Sequence, residues 1–236
     1  MAQRSNLGIS RAGIGLASTR PNRAALPRLP LSEGAVAGVR GFVLRALAAE
    51  RRHPATSPLL VTLLIGVCAG ALALLGQPLT CPCGHVALWA GDIATNQNSQ
   101  QIADIYSIEH AASGLLLLVA LRPLPAHIAH STRLIGVAIG AVAWEFLENS
   151  AWMIQRYREA TISAHYAGDS VLNSSTDVLF CCLAFTLAAR LPWRASLTVV
   201  VLSEVLVTLL IRDSILLSLV ALVTGSDALR EWQIAR

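Results

Sequence analysis

Apolar runs separated by short polar breaks dominate the chain from residue 59 onward. The first, "LLVTLLIGVCAGALALLG" (Leu59–Gly76), carries no charge, and its 18 residues come close to the about 20 that a helix needs to cross a hydrocarbon core. Gln77 and Pro78 close it. Further runs at about 106–121, 134–153, 168–189 and 195–211 predict four more spanning helices. A last apolar stretch, "SILLSLVALV" (214–223), is shorter. Ten residues of helix rise about 15 Å, roughly half a hydrocarbon core. The pattern therefore predicts a re-entrant or interfacial helix there, with a sixth span as the alternative.

The predicted architecture is an all-α, multi-pass transmembrane helical bundle of five spans plus a short sixth hydrophobic segment. Residues 1–35 differ: they are rich in Arg, Ser, Pro and Gly, lack hydrophobic periodicity, and predict disorder. Residues 36–53 alternate apolar and Arg positions at roughly helical spacing, which suits an interfacial helix or a solvated linker. The chain thus divides into a basic, mostly disordered arm (1–50) and a transmembrane domain (51–236).

Composition sharpens this. Hydrophobic residues make up 54% of the chain and charged ones only 14%, against about 25% charged in a soluble domain. Lipid must stand in for water over much of the surface. All basic residues are Arg, and nine of them fall in residues 1–58 with only Glu33 and Glu50 to oppose them. The remainder is net negative. A basic surplus confined to the arm argues against nucleic acid as a partner and for a cytoplasmic arm beside anionic lipid. The loop 77–105 has no Arg or Lys at all. The contrast places the N-terminus in the cytoplasm and this loop outside. Arg122, Arg133, Arg190 and Arg194 then flank cytoplasmic turns, while Arg156 and Arg158 run mildly against the rule. No apolar stretch of the kind a secretory signal carries lies near Met1. An Arg-rich start also suits an organellar transit peptide or an upstream start codon.

The topology gathers polar residues at one membrane face. His110 lies near the outer end of the second predicted span, and Glu145, Glu148 and Asn149 near that of the third. Asp169, Asn173 and Asp177 occupy the outer half of the fourth, at i, i+4 and i+8, a narrow stripe with Thr176 among them. Glu145 and Glu148 share a helix face at i and i+3. Charged groups in spans are costly and point toward one another or toward water.

Three readings compete. In the first, His110, Glu148, Asp169, Asn173 and Asp177 hold a divalent metal, with Glu145 as general base, for metal-assisted hydrolysis or lipid modification at the outer face. Neither HExxH nor a paired ExxH accompanies these residues. In the second, the stripe lines a path for protons or a small solute. In the third, the groups pair with one another and with Arg156, Arg158 or Arg212, and only fix the bundle in a structural or assembly protein. Glu204 stands apart, near the middle of the fifth span. Isolated there it is expected to be neutral, able to donate a hydrogen bond to a neighbouring helix, with a proton-carrying role as the alternative. "CPCGH" offers Cys81, Cys83 and His85; one CxC and one His do not complete a zinc site, and the pair is read as a disulfide or two thiols. Cys68, Cys181 and Cys182 are read as packing residues in spans.

Several stretches carry a resemblance: "CPCGHVALWAGDIATNQNSQQIADIYSIEH", "WEFLENSAWMIQRYREATISAHYAGDSVLNSSTDVL", "RLPW" and "IRDS". They resemble an uncharacterised family of alphaproteobacterial inner-membrane proteins, family 0314, from about Leu59 to Trp232. The resemblance implies a multi-pass helical protein of the bacterial inner membrane. It brings no reaction, substrate or cofactor, and residues 1–50 look like an extension outside it.

Overall fold

The computed structural model describes residues 56–235, so the predicted basic arm lies outside them. Eight helices follow in order: α1 (Thr56–Leu74), α2 (Ile105–Leu121), α3 (His130–Glu148), α4 (Ala151–Ala160), α5 (Val171–Ala188), α6 (Trp193–Ile211), α7 (Ile215–Thr224) and α8 (Asp227–Ile234). The described residues hold no strand beyond one isolated bridge between Ala90 and Asp104.

Helix α5 is the hub. It packs against α1, α2 and α3, while α2 also leans on α6 and α4 on α7. More than half of α5 (56%) is buried, against 22% of α1 and of α6. The outer helices turn Leu and Val side chains outward instead, among them Leu59, Val67, Val201 and Leu209. Small residues allow the closest approach: a Cβ on Gly114 of α2 would lie 2.1 Å from the Cys181 carbonyl oxygen of α5. Around that contact Leu118, Val137, Cys181 and Phe185 form one apolar cluster, and Cys68, Leu72, Ala138 and Val178 belong to a second.

By length and hydropathy three helices can cross a membrane, α1, α5 and α6, and a fourth span exists if α3 and α4 count as one. Helices α2 and α7 are apolar but shorter. This is the composition of a membrane protein; five full spans do not follow from it.

Predicted and observed boundaries differ where polar side chains intervene. The predicted third span, 134–153, starts earlier, at His130, and breaks after Glu148. Asn149 donates its side-chain amide back to the Glu145 carbonyl (3.0 Å), and the Ser150 hydroxyl bonds the Leu147 carbonyl. Ser150 then caps α4 by accepting from Met153 N–H, and the chain leaves α3 at 71°. The predicted fourth span, from Gly168, starts at Val171 because Ser170 is its cap. Helix α1 ends in a Schellman turn: Gly76 takes φ +94°, Gly76 N–H bonds the Ala73 carbonyl, and Gln77 N–H bonds that of Leu72.

The loop from residue 75 to residue 104 packs onto the helix ends. Its Pro78 and Leu79 carbonyls accept from Val171 and Leu172 N–H, two donors that the first turn of α5 could not satisfy itself. Ser170 N–H donates to Ser99 O, the Gln100 amide to Gly168 O, and the Asn173 amide to Gln101 O. Gln101 is fully buried, accepting from Ala87 N–H at 2.7 Å. Asp104 accepts from Ser99 N–H and caps α2 through Tyr106 and Ser107 N–H.

Candidate functional site

A cavity of about 350 Å³ opens among α2, α3, α5 and α7. Its polar lining is Glu109, His110, Glu148, Asp169, Asp177 and Asp213, with Tyr106, Tyr157 and Tyr166. Leu116 and Leu117 of α2, Gly140 and Ala141 of α3, and Leu219 and Leu222 of α7 supply apolar lining. No arginine lines it.

The carboxylates separate into two kinds. Some are fully engaged. Asp169 accepts from the Tyr166 hydroxyl (2.8 Å) and the Asn149 amide (3.0 Å), while its own N–H donates to Asn149 Oδ1 (2.7 Å). Burial raises its pKa to about 6, outweighing those two donors. Asp213 accepts from Tyr106, Ser214, Ser218 and Gln233; burial again wins and raises its pKa. Asp104 is raised by burial too, despite the N–H groups of Ser99, Ser107 and Tyr106. Aspartates of this type fasten loops to helix ends.

The second kind is left over. Glu145 is 1% exposed, and neither of its oxygens accepts a hydrogen bond. Glu148 Oε2 and Glu109 Oε1 are likewise buried without partners. The imidazole of His110 stands between carboxylates, with Nδ1 3.8 Å from Glu145 Oε1 and Nε2 3.9 Å from Asp177 Oδ2. Asp177 is itself held by the Ser107 hydroxyl at 2.7 Å. One ligand atom each from His110, Glu145 and Glu148 lie within 4.8 Å of one another, so this trio could hold a metal ion.

The predicted ligand set is therefore redistributed. His110 and Glu148 come together as expected, and Glu145 joins them as a third donor instead of facing the cavity as a base. Asp169 precedes the cap of α5, so it is not part of a helical stripe, and its oxygens are engaged. The Asn173 amide is turned to the Gln101 carbonyl. Asp177 reaches His110. The arginines do not pair with these acids: Arg156 donates to Leu222 O, Arg158 to Tyr166 O, and Arg212 to Trp232 and Ala235 O. Each closes a backbone carbonyl that helix ends or loops leave open. Among the described residues the acid–base contacts are those of His110 alone. Glu204 accepts from Leu216 N–H at 3.2 Å. Cys81 and Cys83 form a disulfide, which takes both sulfurs from any metal site with His85.

Glu109 and Gln101 escaped the sequence reading. Glu109 directly precedes His110 in "YSIEHAAS", and that adjacency was the one available signal. Gln101, in a run of Asn, Gln and Ser, reads as surface.

Residues 72–235 match the family model described as "Protein of unknown function (DUF2585)". The chain belongs to that family. A UPF0314 protein of Sphingopyxis alaskensis is 40% identical over 179 residues, covering 75% of this chain and 95% of the relative. One from Paracoccus denitrificans is 41% identical over 181 residues, 76% and 94% of the two chains. A third, from Sinorhizobium fredii, is 39% identical over 166 residues, 68% and 81%. No solved structure matches. The DUF2585 match includes the site helices and the loop that holds them and excludes the basic arm.

Proposed function

We propose that this DUF2585 member is a metal-assisted hydrolase or lipid-modifying enzyme of the bacterial inner membrane, with its site at the periplasmic face. The supporting observation is Glu145: a carboxylate 1% exposed with two partnerless oxygens, 3.8 Å from an imidazole and grouped with Glu148. Ionising a carboxyl buried without a partner costs several kcal/mol, so without a counter-charge such a group stays neutral. A cation at the trio removes that cost. Ligands about 2.1 Å from one ion stand at most about 4.2 Å apart, so small rotamer shifts suffice.

In this reading His110, Glu145 and Glu148 are ligands. Asp177, anchored by Ser107, orients the imidazole from its other nitrogen, the usual outer partner of a metal-bound histidine. Glu109 lines the cavity with an open oxygen, in place to exchange a proton with the reacting group. When bound, the ion supplies Lewis acidity and an activated water. The engaged aspartates favour a structural role for the rest of the polar patch, which is the bundle-fixing reading confined to its edges. The proposal keeps the Arg-rich arm in the cytoplasm, with α2 completing a fifth crossing and α7 re-entrant.

Metal analysis of protein purified without chelator tests it. We expect about one equivalent of a divalent ion, lost in Glu148→Ala and Glu145→Ala, and bound about 10–100-fold more weakly in Asp177→Asn. Folded wild-type protein that neither carries nor takes up zinc, manganese or iron would overturn the reading.

A further inference from the structure

We propose that Cys81 and Cys83 form a thiol–disulfide exchange site, which passes its disulfide to cysteine pairs of other proteins. In the proposed topology the loop that carries them faces the oxidising periplasm. The inference goes beyond the metal reading and uses none of its residues.

A disulfide between cysteines two positions apart does little for the fold. The ring it closes is so short that bridging removes little chain entropy. The surrounding loop has other fastenings. Ala87 N–H donates to Gln101 Oε1 (2.7 Å), Ile102 N–H to the Ala87 carbonyl, and Ala90 N–H to that of Ala103. None of these bonds involves a sulfur. The turn is closed without the sulfurs too. Gly84 N–H bonds the Cys81 carbonyl, Pro82 presets the turn's second position, and Gly84 takes φ +86°. The backbone therefore keeps the two cysteines together when reduced, ready to bridge again.

Burial distinguishes the sulfurs. Cys81 is 4% exposed, while Cys83 is half-buried between exposed Pro82 and Gly84. An incoming thiolate meets Cys83 first. Each sulfur that must leave has an N–H beside it. Cys83 N–H lies 3.2 Å from Cys81 Sγ. The amide nitrogen of Gln101, a fully buried side chain, lies 3.4 Å from Cys83 Sγ, with the His85 carbonyl and Gln97 Oε1 also in reach. A disulfide sulfur accepts such a bond weakly, and a thiolate accepts it strongly. Donors that tighten as charge arrives ease departure of the thiolate.

The exchange balances. A substrate thiolate attacks Cys83 Sγ, the S–S bond breaks, and its electron pair leaves on Cys81 Sγ. The substrate's second thiolate then attacks the substrate sulfur of the mixed disulfide and releases Cys83 as a thiolate beside Gln101. The substrate loses two electrons and the loop pair gains them. The two substrate protons pass through water to Cys81 and Cys83. A second protein disulfide, reacting by the reverse route, reoxidises the pair.

The test mixes the oxidised full chain in detergent with an excess of a synthetic peptide carrying two reduced cysteines. A maleimide then counts thiols in the folded protein. We expect about one peptide disulfide per chain, with new label on Cys81 and Cys83 and none on the buried Cys68, Cys181 and Cys182. With a small aromatic disulfide as probe, Cys81→Ser, which keeps Cys83, should form the mixed disulfide about tenfold faster than Cys83→Ser. Reduced and oxidised wild type should melt within about 6 °C of each other. A bridge that the peptide opens only once the protein unfolds overturns the inference, as does Cys83→Ser reacting as fast as Cys81→Ser. A wider gap in melting temperature also overturns it and assigns the bridge to holding the loop.

Discussion

Asp169 and Glu145 are both buried carboxylates on residues that the same asparagine, Asn149, hydrogen-bonds, yet their situations are opposite. Asp169 has donors on both oxygens, and Glu145 has none. For Asp169 burial still raises the folded pKa to about 6 from an ordinary value near 3.8. A raised pKa means that the folded state holds its proton more tightly, so the contribution to stability is complete below about pH 4 and is lost as pH rises through about 6. Thermal unfolding in detergent should show that loss from pH 4 to 7. Asp169→Asn should flatten it and lower stability by about 1–3 kcal/mol, since one of two donors then faces an amide donor. A slope unchanged in the variant would assign the titration elsewhere. At this scale the sequence was partly legible. The i, i+3 spacing brought Glu145 and Glu148 to one place, as expected. It was silent on hydrogen-bond partners, which come from loops far away in sequence: Tyr166 and Asn149 for Asp169, and Ser107 for Asp177.

Helices were legible as long as apolar runs, and their ends were not. Hydropathy averaged across Asn149 and Ser150 reads as one span, but two short polar side chains satisfy the last carbonyls of α3 and the first donors of α4, and the axis turns. Likewise the donors at the start of α5 are met by Pro78 and Leu79, a contact over about ninety residues that no local pattern signals. The α2–α5 contact has a local signature only in retrospect, in Gly114. Its added Cβ would strike backbone, not a flexible side chain. Gly114→Ala should therefore cost at least about 2 kcal/mol despite its better helix propensity. Gly136→Ala, with open space around it, is the control and should be neutral or slightly stabilising. Equal melting temperatures for the two variants would contradict the close packing.

For the whole molecule the charge asymmetry makes the topological expectation. A periplasm-active reporter fused after Ser99 should be active, and one fused after Ala129 inactive; the reverse pattern would invert the site to the cytoplasmic face. The all-helical class was legible because an apolar, charge-poor chain has few ways to satisfy its backbone in lipid, and the family was legible in its motifs. The cavity was not, because it is made by what α2 and α3 leave unfilled between them.

The chain's last described turn is fastened to the cavity's wall. Gln233 on α8 reaches Asp213, and Arg212, in the left-handed conformation at φ 55°, grips the carbonyls of Trp232 and Ala235 while lying over the Trp232 ring. Asp213 lines the cavity and accepts the Tyr106 hydroxyl from α2. A purification handle or a carboxypeptidase working back from Arg236 therefore acts two hydrogen bonds away from a cavity-lining tyrosine. The practical effect is on protein engineering: a long flexible spacer belongs between Ala235 and anything fused behind it.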